Sequence, residues 1–430
     1  MTTHNSEHVS VSRGGFDAAA LAREFGTPLV VIDEVCLRSR MRRFRAAFTR
    51  PGWTSSVTYA GKALLVAAIA RIAHEEGLAI DVCSLGELET ARRGGVPADR
   101  CIMHGCFKTS EELAAAVTAR VRHVVVDHAG EIEELDRLAR ASGAVCDVLL
   151  RVNPGIAAQT HASVQTSAPA SKFGFAVADG QALAAVRAIG AKPHLRLSGI
   201  HCHLGSQIYD LRTYAAAVDA LVDFAEAARA DCDAALSIMD VGGGLGVRGE
   251  DGGDEPAPEA WAATIFDAFE RRLARSPVAR PHVYVEPGRA LIATAGTTLY
   301  RIGVRKRLPD GAQALIVDGG MSDNPRPALY EARYSVRIAD RPDAQPDGSY
   351  VVFGRHCETD RLFPDAALPD PQPGDLLAVR DTGAYTYSMA SNYNRFVRPA
   401  VVIVDQSGAR LAARRETLEH VLALDVTERD

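Results

Sequence analysis

Four groups of residues in this 430-residue chain have types and spacings that could carry chemistry. Tyr59-Ala-Gly-Lys62-Ala sets a lysine among apolar neighbours. Held so, an amine can lose its proton and attack a carbonyl carbon to form a Schiff base, although on this motif alone a surface lysine on a loop is the better explanation. Gly242-Gly-Gly-Leu-Gly246 is by itself only a glycine-rich turn, but after a strand it would offer backbone N–H groups to a phosphate without side-chain obstruction. Glu286, in Glu286-Pro-Gly-Arg289, is either a solvated carboxylate or, beside such a phosphate site and lysine, the salt-bridge partner of a protonated pyridine nitrogen. His201 and His203 fall two apart and would share one face of a strand. No third ligand has a spacing that completes a metal site, and an imidazole lying flat against a ring fits better.

The elements that would position these groups alternate. From residue 57, the runs Val57–Ala60, Ala79–Val82, Cys101–His104, His123–Asp127, Asp147–Val152, Leu197–His203, Ile238–Val241 and His282–Glu286 read as strands. Helical patterns lie between them, among them Leu64–Glu76, Leu85–Arg93, Ser110–Ala119, Glu131–Ala141, Leu211–Ala230 and Pro258–Ala274. This predicts a (β/α)8 barrel of about 250 residues, whose active site lies at the C-terminal ends of the strands. Lys62, Asp81, His104, Asp127, Arg151, His203, the glycine turn and Glu286 all follow such runs. A doubly wound sheet would need a GxGxxG loop after its first strand, and there is none. Beyond Arg289 the pattern turns to strands: Thr297–Val304, Gln313–Val317, Tyr334–Ile338, Ser349–Phe353, Asp375–Val379 and Ala400–Val404. The reading is therefore a barrel over 35–290 and a β-rich domain built from 14–34 plus 291–430, the early run Leu29–Ile32 pairing into the latter. Residues 1–13 read as disordered, and 157–170 and 249–256 as flexible loops at the barrel mouth.

Composition narrows the classes. With 47% hydrophobic and 24% charged residues the chain is globular. Its 48 Lys plus Arg against 54 Asp plus Glu, a net charge of −6, suits a cytoplasmic protein and argues against nucleic acid. The basic cluster Arg40–Arg45 reads as the solvated face of a helix. No apolar stretch of about 18 residues exists to span a membrane, and the polar start is no signal peptide. The 8 cysteines show no paired spacing, so reduced thiols are expected. Cys357 stands out for its polar neighbours.

A lysine, a phosphate cradle, a pyridine-nitrogen partner and a ring-face imidazole are together what pyridoxal phosphate requires. Here the chain resembles the diaminopimelate decarboxylase family of fold-type III, alanine-racemase-like pyridoxal-phosphate enzymes. The likeness runs from about Thr27 to Arg398. It rests on Tyr59-Ala-Gly-Lys62, Asp81-Val-Cys-Ser-Leu-Gly-Glu87, His104-Gly, Arg151-Val-Asn-Pro-Gly, Ser171-Lys-Phe-Gly174, His201-Cys-His203-Leu-Gly-Ser206-Gln and Gly242-Gly-Gly-Leu-Gly246. Glu286-Pro-Gly-Arg289, Met321-Ser-Asp-Asn-Pro-Arg326-Pro-Ala-Leu-Tyr330, Cys357-Glu358 and Gly383-Ala-Tyr385 complete the series.

The resemblance implies that Lys62 carries pyridoxal 5'-phosphate covalently and that Asp81 belongs to the cofactor site. His203 would stack on the ring, and Glu286 would pair with its nitrogen. Ser206, Gly242, Gly243, Gly244, Gly288, Arg289 and Tyr385 would meet the phosphate end. Cys357 would be the acid that reprotonates the α-carbon, reaching the site from the partner of a homodimer. In related racemases an arginine meets the ring nitrogen, whereas a carboxylate favours full ring protonation and loss of CO2.

For the substrate, Arg289 and Arg326 can grip a distal carboxylate, with a hydrogen bond from Tyr330 and support from Tyr385. Glu358 can accept from a distal ammonium. An amino acid group at each end fits, which is meso-2,6-diaminopimelate, the precursor of L-lysine. A structural bridge from Arg326 to Asp323 is the plainer alternative. Two motifs depart from the family pattern: His104-Gly-Cys106-Phe107-Lys108-Thr109 replaces His-Gly-Asn-Asn-Lys-Ser, and Cys357-Glu-Thr-Asp360 is one residue shorter than Cys-Glu-Ser-Gly-Asp. They leave room for another amino acid or a carrier-linked glutamyl substrate and, more remotely, for a catalytically silent homologue that only binds the cofactor or a partner.

Overall fold

The structure, a computed structural model, describes residues 16–156, 171–247 and 255–426. The start expected to be disordered, the 157–170 loop and most of the 249–256 loop lie outside the described residues. The chain divides into two compact units, one of residues 40–247 and 253–291, the other of residues 1–39, 248–252 and 292–430.

The first unit is a closed parallel barrel. Its strands are Thr54–Ala60, Ala79–Val82, Cys101–Met103, His123–Val126, Cys146–Asn153, Leu195–His201, Ile238–Asp240 and His282–Val285. Each pairs with its neighbour in parallel, and His282–Val285 closes the ring on Thr54–Ala60. Ile102, Val125, Leu149, Ile238 and Tyr284 pack together as a buried cluster, side chains filling the barrel as this fold requires. The crossover helices have clear stops and starts. Thr109 and Glu112 form a reciprocal capping box on the helix Ser110–Ala119, and Ser84 caps Leu85–Arg93 through the Glu87 N–H. The helix Pro258–Leu273 packs Trp261 edge-on against Phe44, Phe48 and Tyr214. The basic cluster is a paired surface: Arg42 meets Glu76 and Arg43 meets Glu259, both at 2.8 Å.

Two differences from the sequence reading matter. The sixth barrel strand ends at His201 instead of His203, so the alternation that would place both histidines on one face stops before His203. The helix Gln181–Gly190, preceded by Gly180 with a φ of 82°, is absent from the sequence reading although Ala182, Ala185, Val186 and Ile189 bury one face of it.

The second unit is a mixed sheet. Its long strand Gly296–Arg307 pairs antiparallel with Leu29–Asp33, Gln313–Val317 and Leu376–Arg380. Leu29–Asp33 pairs on its other side, in parallel, with Ala400–Asp405. It is buried at every position, as a strand covered on both faces must be. The strands Gly348–Phe353 and Arg361–Leu368 form a hairpin at one edge. The second of these carries Pro364 mid-run, a residue that argues against a strand in sequence and is tolerated at an edge. Among the described residues no helix is long and apolar enough to cross a membrane.

A buried ion pair pins the loop that leaves the third barrel strand. Lys108 Nζ lies 2.8 Å from Glu131 Oε1 and donates to the carbonyls of Gly105 and Val125 at 2.7 and 2.9 Å. Glu131 Oε2 in turn accepts the Asp127 N–H at 2.8 Å. Replacing Lys108 by Met strands an unpaired carboxylate, so urea unfolding should show a loss of about 3–5 kcal/mol, most of it recovered by adding Glu131→Leu.

Candidate active site

Within the barrel unit the strand ends bring the expected residues to one rim. Lys62 lies in the short 3-10 turn Gly61–Ala63 directly after the first strand and is exposed. Its positive charge acts on Asp81, Cys83, Glu87 and His203. Glu286 follows the last strand and is buried. Its Oε1 lies 3.0 Å from His104 Nε2 and its Oε2 3.2 Å from His201 Nε2. His104 Nε2 is also 3.4 Å from Asp81 Oδ1, and the two imidazoles meet edge to face.

The charges in this cluster sort by environment. Burial alone would protonate Glu286, but His104 and His201 outweigh it and hold the carboxyl well below the usual range. Burial would likewise discharge His104, yet Glu286 and Asp81 raise it to about 9. Burial lowers His201 to about 4, so it is a neutral donor. Asp81 is raised to about 7 by burial and then by Glu286. Asp240, at the next strand end, is pushed well above its ordinary value by the same two causes. The cluster is thus a fixed anion held by one imidazolium and one imidazole. Residue spacing tied His201 to His203; the structure pairs it with His104 and Glu286, the three donor atoms lying within 4.8 Å of one another.

His203 stands apart from that cluster. Burial, then Lys62, drives its pKa well below the ordinary value. Its Nδ1 accepts the Gly243 N–H at 3.2 Å, which puts the ring proton on Nε2. The Gly242 N–H donates to Asp240 Oδ1 at 2.8 Å. Two of the three glycine amides expected to face a phosphate therefore have partners inside the barrel. These glycines answer to packing as well: a Cβ on Gly243 would stand 2.0 Å from the Glu286 carbonyl oxygen, and one on Gly244 2.1 Å from that of Gly205. At the same rim Arg289 Nε donates to Ser206 Oγ at 3.4 Å, beside Gly288, whose Cβ position is closed by Ala60.

Asp127 and Arg151, also strand-end residues, lie 3.4 Å apart. Asp127 takes the Gly174 N–H at 3.0 Å, and the Arg151 guanidinium covers Phe173 at 4.3 Å. They anchor the Ser171–Gly174 motif.

The β unit holds the remaining candidates. Arg326 is buried, its guanidinium 4.9 Å from the Tyr330 ring and 5.7 Å from the Tyr385 ring. Asp323, the alternative partner considered for Arg326, accepts from the Tyr300 hydroxyl at 2.5 Å and from the Gly320 N–H at 2.9 Å. Cys357 and Glu358 are exposed on the turn of the edge hairpin. Their backbone and carboxylate are held by Asn394 and Tyr393, two residues that sequence reasoning passed over because they belong to no strand or helix pattern. His104 was visible as a polar residue at a strand end and in the His104-Gly motif, and Asp240 was not singled out at all.

These groups fit pyridoxal phosphate on their own chemistry. A buried carboxylate locked as an anion suits a protonated pyridine nitrogen, a neutral imidazole suits a ring face, and an exposed lysine suits an aldehyde. A closed parallel barrel with this donor set, carried on a chain with a mainly β second unit, is the fold-type III class of pyridoxal-phosphate enzymes. Residues 35–293 match the sequence family described as pyridoxal-dependent decarboxylase, pyridoxal binding domain. The chain is 40% identical over 426 residues to the diaminopimelate decarboxylase of Bacillus subtilis, covering 99% of this chain and 97% of that one. It is 43% identical over 422 residues to that of Mycobacterium tuberculosis, with 96% and 94% covered. The crystal structure of diaminopimelate decarboxylase from M. jannaschi superposes with a TM-score of 0.90 at 31% identity, covering 98% of each chain. A lysine/ornithine decarboxylase from Vibrio vulnificus complexed with putrescine gives 0.76 at 25% identity, covering 90% of this chain and 96% of that one. The chain belongs to the diaminopimelate decarboxylase family of pyridoxal-dependent decarboxylases.

The raised pKa of His104 has a sign that can be tested. Its contribution to stability is fully present below pH about 6.5 and is lost as the pH rises through about 9. Histidine NMR should find His104 still protonated at pH 7.5. Denaturant titrations at pH 6.5 and 9.5 should differ by less in His104→Gln than in the native chain.

Proposed function

We propose that this chain converts meso-2,6-diaminopimelate to L-lysine and CO2 with pyridoxal 5'-phosphate, as a cytoplasmic enzyme of lysine biosynthesis. The observation that carries the reading is Glu286, a buried carboxylate kept ionised by His104 and His201, in a chain alike along its whole length to diaminopimelate decarboxylases. The bound cofactor supplies an electron sink for the pair left behind when the bond from the α-carbon to the carboxylate breaks.

The chain's own residues supply the rest. Lys62 holds the cofactor covalently. Glu286 sets a fixed negative charge at the ring nitrogen, and Asp81 sits behind it beside His104. His203, neutral, covers a ring face. Ser206, Gly244, Gly288, Arg289 and Tyr385 receive the phosphate end. Gly242 and Gly243 shape that turn chiefly through their bonds to Asp240 and His203. Arg326, its guanidinium flanked by two tyrosine rings, grips the distal carboxylate with help from Tyr330 and Arg289. Glu358 accepts from the distal ammonium. The Cys357 thiol gives its proton to the α-carbon as CO2 leaves, and solvent returns one to sulfur, so the net change is one proton taken up and one CO2 released.

In the same reading, residues 35–290 form the cofactor barrel, and 14–34 with 291–430 contribute to the active site and to a homodimer in which Cys357 serves the partner's site. Sequence resemblance supports this arrangement, as does the exposure of Cys357 and Glu358 on a hairpin turn.

The assay is CO2 trapping with mass detection over a panel of amino acids. Lysine should appear from meso-diaminopimelate; a loaded enzyme that yields CO2 only from another amino acid would refute the substrate. Lys62→Ala should be inactive, and Cys357→Ala should lose about 10²-fold or more in kcat. Arg326→Lys should raise KM about tenfold by losing the planar fork. Mixing inactive Lys62→Ala and Cys357→Ala subunits should restore about a quarter of native activity, one site in each mixed dimer being intact. No recovery would place both residues in a single subunit's site.

A further inference from the structure

Cys357 and Glu358 have adjacent tasks, yet both side chains stand exposed on a turn. Exposed side chains sample several rotamers, so their placement has to come from neighbours. The turn joins the strands Gly348–Phe353 and Arg361–Leu368, and its base is rigid. The buried Asp360 carboxylate accepts from His356 Nδ1 at 2.5 Å, from the His356 N–H at 3.1 Å and from the Met321 N–H at 2.7 Å. The Asp360 carbonyl takes the Gly354 N–H at 2.8 Å. Asp360 adopts a φ of 42° in doing this, a backbone conformation that costs an L-residue free energy.

The turn is gripped from a second side. The His356 ring stacks parallel to Tyr393, centroids 5.8 Å apart and planes 14° apart, and meets Phe396 edge-on. From that platform the segment Tyr393–Arg395 reaches both working residues. Asn394 Oδ1 accepts the Cys357 N–H at 2.9 Å. The Tyr393 hydroxyl donates to Glu358 Oε1 at 2.8 Å. Asn394 does this from the left-handed region, with a φ of 52°, which asparagine tolerates better than most residues.

We propose that Tyr393 and Asn394 are positioning residues of the decarboxylation: Asn394 fixes the backbone of the proton donor, and Tyr393 fixes the carboxylate that meets the substrate's distal ammonium. The inference rests on the roles given to Cys357 and Glu358 above. A phenol bonded to one carboxylate oxygen sets the plane in which the other can accept, so Tyr393 governs binding. A side chain that holds the Cys357 amide sets where the sulfur starts its proton transfer, so Asn394 governs the chemical step.

The test is a set of variants in the holoenzyme. Tyr393→Phe keeps the ring on His356 and removes only the hydroxyl. KM for meso-diaminopimelate, and Kd for L-lysine by calorimetry, should rise about 5- to 10-fold, with kcat within about twofold. Glu358→Gln should do the same or more, and the double variant should be no worse than Glu358→Gln alone. Effects that multiply in the double variant overturn the assignment of Tyr393. Unchanged KM and Kd in Glu358→Gln overturn instead the role of Glu358 on which it rests. Asn394→Gly keeps the left-handed backbone without the amide and should lower kcat about tenfold with lysine affinity unchanged. Asn394→Asp, which retains the acceptor, should restore kcat to within about threefold of native. Equal losses in the Gly and Asp variants overturn the assignment of Asn394.

Discussion

A carboxylate taken out of water is costly, several kcal/mol even after the protein relaxes around it, unless partners hold its charge. Glu286 meets that condition through His104 and His201, one beside each oxygen. The groups around it come from the ends of different strands: Asp81 from the second, His104 from the third, His201 from the sixth, Asp240 from the seventh. Only a sheet whose strands all run the same way and close on themselves brings so many carboxyl-terminal ends to one rim. The barrel thus determines more than shape. It allows one acid among three to stay ionised, while Asp81 and Asp240 are pushed towards their neutral forms, first by burial and then by the field of Glu286.

The β unit solves a different electrostatic problem. Cys357 and Glu358 stand exposed on a turn. Order comes from a web of short-range bonds: Asp360 inside the turn, and the Tyr393–Asn394 segment outside it. Arg326 follows a similar logic, with its planar group set between aromatic faces, which orient a guanidinium without neutralising it. A preformed anion suits a permanent cofactor. A thiol and a carboxylate that meet the substrate need orientation.

Much of this was legible in the residue order, for a physical reason. Parallel strands buried on both faces read as plain apolar runs, and Ala79–Val82 was found to the residue; so were the capped helix Ser110–Ala119 and the strand Gln313–Val317 of the β unit. The residues with distinctive chemistry, Lys62 and Glu286 above all, could be singled out because each follows such a run. What stayed hidden depends on distances between elements remote in sequence. Nothing near His104 announces that it meets Glu286, 182 positions on. The hairpin strand Arg361–Leu368 was masked by Pro364, and the bonds from Tyr393 and Asn394 come from irregular backbone whose direction no periodicity encodes. Gly243 shows the opposite error: its composition suggested only a phosphate contact, whereas its own amide and its missing Cβ serve packing as well.

The strand Leu29–Asp33 lies between Gly296–Arg307 and Ala400–Asp405, so the first of the described strands waits for partners that are made only after the barrel. Every residue of the barrel is synthesised in the interval. The barrel can therefore mature while this strand, apolar over Leu29–Ile32, still has both edges unsatisfied, a segment open to chaperones. Truncation between residues 308 and 399 leaves one of those edges open, and truncation before residue 296 leaves both, so such fragments should aggregate through this strand.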